Sequence, residues 1–136
     1  MEVILVRHAI AAERDFQQWP DDRGRPLTEQ GEERMRRAAR GLGRVVPEVD
    51  VMFSSPLVRA WRTAEILHEE IGWPSPEAWS QLEPDRPASQ PVRSLAPLAE
   101  AGRVALVGHE PGLSEIASYL LAGAGHRGVD LEMKKG

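Results

Sequence analysis

The sequence predicts an α/β fold in three layers, a mostly parallel central sheet with helices on both faces. Three features predict it. The runs Val3-Ile4-Leu5-Val6 and Val104-Ala105-Leu106-Val107 are continuous and apolar, and read as short strands buried on both faces. Val51-Met52-Phe53 is a third apolar strand of the same kind. Amphipathic helical patterns separate and follow these strands, and strand–helix units in series imply right-handed crossovers and parallel pairing.

Bulk properties narrow the possibilities. A chain of 136 residues suits one domain, taken as residues 1–136, with one sizeable core. The apolar content of 41% and charged content of 28% describe an ordinary soluble globular protein. A net charge of -4 supplies no cationic excess for a nucleic-acid backbone, so nucleic acid is not an expected partner. Cysteine is absent, which excludes disulfides, thiolate chemistry and cysteine-based zinc sites. The chain opens directly on a strand without a signal-like segment, and no apolar run approaches the ~20 residues that span a bilayer. The expectation is a cytoplasmic protein with no membrane partner.

Taken in order, residues 10–26 are polar and irregular and read as a surface loop crossing the mouth of the first strand. Thr28 is placed as the N-cap of a helix carrying Met35, Ala38, Ala39 and Leu42 on its apolar side. Arg34, Arg36, Arg37 and Arg40 form its solvated face, with Gly41 and Gly43 fraying its end. After the second strand, Ser55 reads as an N-cap and Pro56 as the first residue of a helix. Ala60, Ala64, Leu67 and Ile71 mark its buried side, and Gly72 with Pro74 stops it. Proline breaks up residues 75–91, with a short strand near Ala78-Trp79, and 92–101 suits a helix interrupted at Pro97. Past the last buried strand, Leu113, Ile116, Ala117, Leu120 and Leu121 describe another amphipathic helix. Val129-Asp130-Leu131-Glu132-Met133 alternates as a half-exposed strand would, and further residues are expected beyond Gly136.

Three strands end in polar residues: Arg7-His8, then Ser54-Ser55-Pro56 with Arg59, then Gly108-His109. In a parallel sheet such ends share one edge, where ligands bind. A lone histidine at a strand end is ordinarily a hydrogen-bonded structural residue, but here the signals converge. Arg59 lies in the first turn of its helix, where the positive end of the helix dipole disfavours a cation by ~0.3–1 kcal/mol. An anion held between the guanidinium and the helix end would explain it, with Arg62 one turn further along. A surface carboxylate paired with Arg59 would explain it equally well. Gly108 is read as permitting close backbone approach. Two imidazoles, two guanidinium groups and a helix N-terminus suit the three oxygens of a phosphoryl group.

Leu5-Val6-Arg7-His8-Ala9, Leu27-Thr28-Glu29-Gln30-Gly31, Ser54-Ser55-Pro56-Leu57-Val58-Arg59-Ala60 with Arg62-Thr63-Ala64, and Val107-Gly108-His109-Glu110-Pro111 resemble the motifs of the histidine phosphatase superfamily, the phosphoglycerate mutase-like family. The small size, without a large insertion before the second histidine, is most similar to the SixA-type phosphohistidine phosphatases. The resemblance implies a phosphoglycerate mutase-like fold and a metal-independent, cofactor-free hydrolase. It implies that His8 is the nucleophile of a covalent phosphohistidine intermediate, with Arg7, Arg59 and His109 binding the phosphoryl oxygens. The chemistry is compatible, because neutral imidazole is nucleophilic near pH 7 and phosphoryl transfer asks mainly for in-line positioning and dispersed positive charge.

Two departures stand out. Ala9 occupies a position where many members have glycine. No carboxylate is an evident general acid: Glu83 and Asp85 are the best candidates, Glu13 and Asp15 weaker ones. A phosphoramidate substrate leaves as an imidazole and needs a strong acid less than an alkoxide does. The expected substrate is therefore phosphohistidine on a protein, with a small phosphorylated metabolite as the alternative. A non-catalytic phosphate-binding module remains a further reading, and so does a metallohydrolase, although the arginines beside His8 and His109 would repel a divalent cation.

Overall fold

A computed structural model describes residues 1–122 and residue 133. Four strands, β1 (Glu2–Arg7), β2 (Val51–Ser54), β3 (Glu77–Ala78) and β4 (Arg103–Gly108), form one sheet in the order β1-β4-β2-β3. Every pairing among them is parallel. The helices are α1 (Glu29–Val45), α2 (Val58–Ile71), α3 (Ser89–Leu95) and α4 (Gly112–Ala122). Single 3-10 turns lie at Asp22–Gly24, Ser80–Leu82 and Ala96–Leu98.

The three layers follow from side-chain alternation along the strands. Met52, Ala105 and Val107 face one core with Met35 and Ala39 of α1 and Ala60, Ala64 and Leu67 of α2. Phe53, Val104 and Leu106 face the other, against Leu95 of α3 and Leu113 and Ile116 of α4. β4 is the strand covered on both sides, and its residues Val104 to Val107 are fully buried. β1, expected to be equally covered, is an edge strand among the described residues, and Val3 to Val6 are only half-buried. A fully apolar run does not distinguish a central strand from an edge strand whose faces are both partly covered.

Other local expectations shift in informative ways. Thr28 caps α1 by accepting from the Gly31 N–H at 2.9 Å. Gly31 is required sterically, because a Cβ there would stand 2.1 Å from the Ile10 carbonyl oxygen. Gly41 and Gly43 do not fray α1, which continues to Val45. A Cβ on Gly43 would come within 2.8 Å of Ile71, so this glycine lets α1 pack tightly on α2. Ala38 is exposed, as are Leu120 and Leu121 at the end of α4, so the apolar stripes are narrower than their spacing suggested. The α1 arginines are not simply solvated: Arg36 and Arg40 pair with Glu69 and Glu70 of α2. The run 129–133 lies outside the described residues except for Met133. Among the described residues, no helix is long and apolar enough to cross a membrane.

Candidate active site

Strand register assembles the site. β1 pairs with β4 so that Arg7 stands opposite Gly108, and the His8 N–H donates to the Gly108 carbonyl at 3.0 Å. β2 pairs with the other side of β4, placing Ser54 opposite Val107, and the Ser55 N–H donates to the Val107 carbonyl at 2.9 Å. His8, Ser55 and His109 therefore leave three adjacent strands at one edge of the sheet. The His8 and His109 rings lie 5.2 Å apart, tilted by 56°.

His8 is buried, and its tautomer follows from its neighbour. Nδ1 lies 2.7 Å from the Ala9 carbonyl, which can only accept, so Nδ1 carries a proton and, in the neutral ring, Nε2 carries the lone pair. Thr63 of α2 braces this turn: its hydroxyl accepts from the Ala9 N–H at 3.0 Å and donates to the Arg59 carbonyl at 2.8 Å. Ala9 itself is packed into the core with its methyl accommodated.

His109 is held through Ser55. Ser55 was expected to cap the second helix, but α2 begins at Val58, after Leu57, and Pro56 lies outside it. The Ser55 hydroxyl is drawn into the site, lying 2.8 Å from His109 Nε2 while accepting from the Leu57 N–H at 3.3 Å. In the tautomer where the Ser55 hydroxyl donates to Nε2, the His109 proton sits on Nδ1. Burial above all, then the charge of Arg59, holds the His109 pKa down at about 3, so the ring is neutral near pH 7.

Arg59 enters from the first turn of α2 and is almost completely buried. It pairs with a carboxylate, that of Asp22, at 3.0 Å. Arg62 diverges from it. One turn along, it pairs with Glu32, Glu65 and Glu69 on the α1–α2 surface. Arg7 donates from a terminal nitrogen to the Met133 carbonyl.

Among the described residues, three buried side-chain nitrogens have no hydrogen-bond partner: Arg7 Nε, Arg59 Nε and His109 Nδ1. Buried polar groups are nearly always paired, so an orphan requires explanation. All three fall on residues singled out from sequence, and all can donate. Such an arrangement can bind an oxyanion beside an imidazole whose Nε2 carries a lone pair.

A cleft of about 520 Å³ opens beside His109, and Arg14, Glu83, Asp85, Arg86, Glu110 and Glu115 are among its lining. The two candidate acids are thus on its wall. Glu83 accepts from the Arg23 guanidinium at 2.6 and 3.2 Å, and that pairing holds its carboxyl below the usual range, favouring the charged form. Asp85 is exposed, in the left-handed region with φ 64°. Asp15 instead caps its own loop, accepting from the N–H groups of Gln17 and Gln18, and Glu13 is exposed. Gly108 leaves ordinary room for a Cβ, with contacts of 3.4 Å and longer, so the close approach inferred for it is absent. Sequence reasoning missed Ser55 as a partner of His109, and it missed Asp22 and Arg25. The buried Arg25 binds Asp22 at 2.7 Å, a cation–carboxylate pair spaced i,i+3 in a loop that offered no periodic signal.

Comparison with known proteins gives this geometry its class. Residues 3–84, more than half of the chain, match the model of the histidine phosphatase superfamily (branch 1), and the chain belongs to that superfamily. An uncharacterized protein of Picosynechococcus sp. is 34% identical over 137 residues, a match covering 99% of this chain and 81% of the relative. The structure of the protein histidine phosphatase SixA complexed with tungstate superposes with a TM-score of 0.80 at 27% identity, covering 88% of this chain and 76% of SixA. Mycobacterial glucosyl-3-phosphoglycerate phosphatase complexed with VO3 shares the fold, with a TM-score of 0.67 at 19% identity over 88% of this chain and 79% of its own. Family and structural similarity together support a phosphatase with a SixA-like fold.

Proposed function

We propose that the protein hydrolyses phosphohistidine on a protein substrate, without a metal, through a covalent phosphohistidine on His8. The observation that carries this reading is the set of orphaned buried nitrogens on Arg7, Arg59 and His109 beside the Nδ1-protonated ring of His8. In the first half-reaction His8 Nε2 attacks phosphorus in line, and the bond from phosphorus to the substrate nitrogen breaks. The departing imidazole takes a proton from solvent. In the second, water attacks phosphorus, the His8 nitrogen–phosphorus bond breaks, and orthophosphate leaves as water's proton passes to solvent. Arg7, Arg59 and His109 disperse charge on the equatorial oxygens in both steps. The guanidinium groups do so without a protonation change.

Two features favour a phosphoramidate. Glu83, one of the two candidate acids, is held in its charged form by Arg23, which suits a leaving group that needs little protonation from the enzyme. The SixA relative is described as a protein histidine phosphatase, and its tungstate is a tetrahedral oxyanion of phosphate's shape. The test is a panel of phosphohistidine peptides, sugar phosphates and aryl phosphates, with His8→Ala as control. The phosphohistidine peptide is expected to be turned over fastest, with acid-labile label trapped on His8 during reaction. His8→Ala is expected to lose activity on the order of 10³-fold or more. Faster hydrolysis of a sugar phosphate would make the protein a metabolite phosphatase instead.

A further inference from the structure

The loop at residues 10–26 carries an ion-pair cluster that none of the chemistry above uses. Asp22, in the 3-10 turn Asp22–Gly24, takes both terminal nitrogens of the Arg59 guanidinium. Its main-chain carbonyl accepts from one at 2.8 Å, and its carboxylate meets the other at 3.0 Å. The second carboxylate oxygen accepts from Arg25 Nε at 2.7 Å. Arg25 in turn donates to the Ala12 carbonyl at 2.7 Å, and the Ala12 N–H donates to Pro26. The two ends of the loop are thereby cross-linked just after His8, and Asp22 is fixed by groups other than the one it holds.

We propose that Asp22 is the positioning residue for Arg59, fixing both ends of the guanidinium fork so that Nε–H remains as the donor for an anion. The inference rests on the reading of Arg59 as an anion ligand. Two physical facts support it. A buried guanidinium in the first turn of a helix is unfavourable both by desolvation and by the helix dipole, so it requires a counter-charge that keeps it in place. Arg59 Nε is the one nitrogen of that fork left buried and unpartnered. Asp22 has a rival role of opposite sign: a carboxylate beside an anion site repels the anion. Positioning and repulsion predict opposite effects of neutralising it.

The experiment uses the full chain and orthophosphate, so it needs no turnover. Affinity is measured by calorimetry, and arginine Nε–H signals are followed during the titration, for wild type, Asp22→Asn, Arg59→Lys and the double variant. Asparagine keeps the volume of a side chain that is already one-third exposed. In the wild-type background, Asp22→Asn is expected to weaken orthophosphate ~10-fold and to abolish the shift of the Arg59 Nε–H signal. In the Arg59→Lys background the same change is expected to alter affinity less than ~2-fold. Asp22→Glu, which keeps the charge but moves it by one methylene, is expected to fall between wild type and Asp22→Asn.

Tighter binding in Asp22→Asn would overturn the proposal in favour of repulsion. A loss that persists in the Arg59→Lys background would overturn it in favour of a structural role for the loop. Wild-type affinity in Asp22→Glu would show that charge and not position matters. If Arg59→Lys alone leaves affinity unchanged and the wild-type Nε–H signal does not move, the reading of Arg59 itself falls, and the proposal with it. The other three outcomes leave that reading standing.

Discussion

At Nδ1 of His109 the cost of building this site is visible. The ring is buried, and burial together with the nearby guanidinium of Arg59 lowers its pKa from an ordinary value near 6.5 to about 3. Between those two values the unfolded chain binds a proton that the native protein refuses. The stability this group contributes is therefore complete above about pH 6.5 and is lost as pH drops toward 3. Urea denaturation from about pH 7 to about pH 4 should show this slope in wild type and a shallower one in His109→Gln. Parallel curves would mean that the buried neutral ring is not its source. The neutral ring meets the Ser55 hydroxyl at Nε2, a contact no local sequence rule discloses. Arg7, His8, Arg59 and His109 were legible because each breaks a local pattern at a strand end or helix start. Asp22 and Ser55 were not, because their partners lie 37 and 54 positions away in the chain.

At the scale of elements, helix boundaries are set by what the helix ends are needed for. α2 gives up a serine cap because that hydroxyl serves His109, and its first turn carries an arginine against the helix dipole. Both irregularities occur where function concentrates. α1 keeps its cap, and its Gly31 fits beneath the Ile10 carbonyl only because it has no Cβ. Gly31→Ala is expected to cost about 1–3 kcal/mol, measured by urea denaturation. It should also reduce turnover, since Ile10 lies two residues from His8. A variant as stable as wild type would show that the loop yields at no cost. The sequence alone led Gly41 and Gly43 to be expected to fray the end of α1. The α1–α2 contact reversed that for Gly43, where the missing side chain makes room for Ile71.

For the molecule as a whole, β4 is the element on which both cores and the site depend. Val104 and Leu106 serve one layer, Ala105 and Val107 the other, and the strand runs directly into Gly108-His109. Leu106→Ala is expected to destabilise the protein by about 2–5 kcal/mol, read as a shift of the urea midpoint. A smaller loss would mean that the helices on that face collapse into the space. Pairing with β1 on one side and β2 on the other also makes β4 the ruler against which His8 and Ser55 are aligned.

The sequence by itself determined the parallel α/β architecture, the approximate place of each described strand and helix, and the four residues that stand out at the strand ends and the start of α2. These are decided within a few residues, by periodicity, caps and turn chemistry. Only the tertiary structure decided that β1 lies at an edge among the described strands, that Leu120 and Leu121 face outward, and that Arg59 and Arg62 part company. It alone joined Ser55 to His109 and Asp22 to Arg59. Each of those outcomes depends on the register and packing of segments distant in the chain, where the free energy belongs to the pairing and not to either partner.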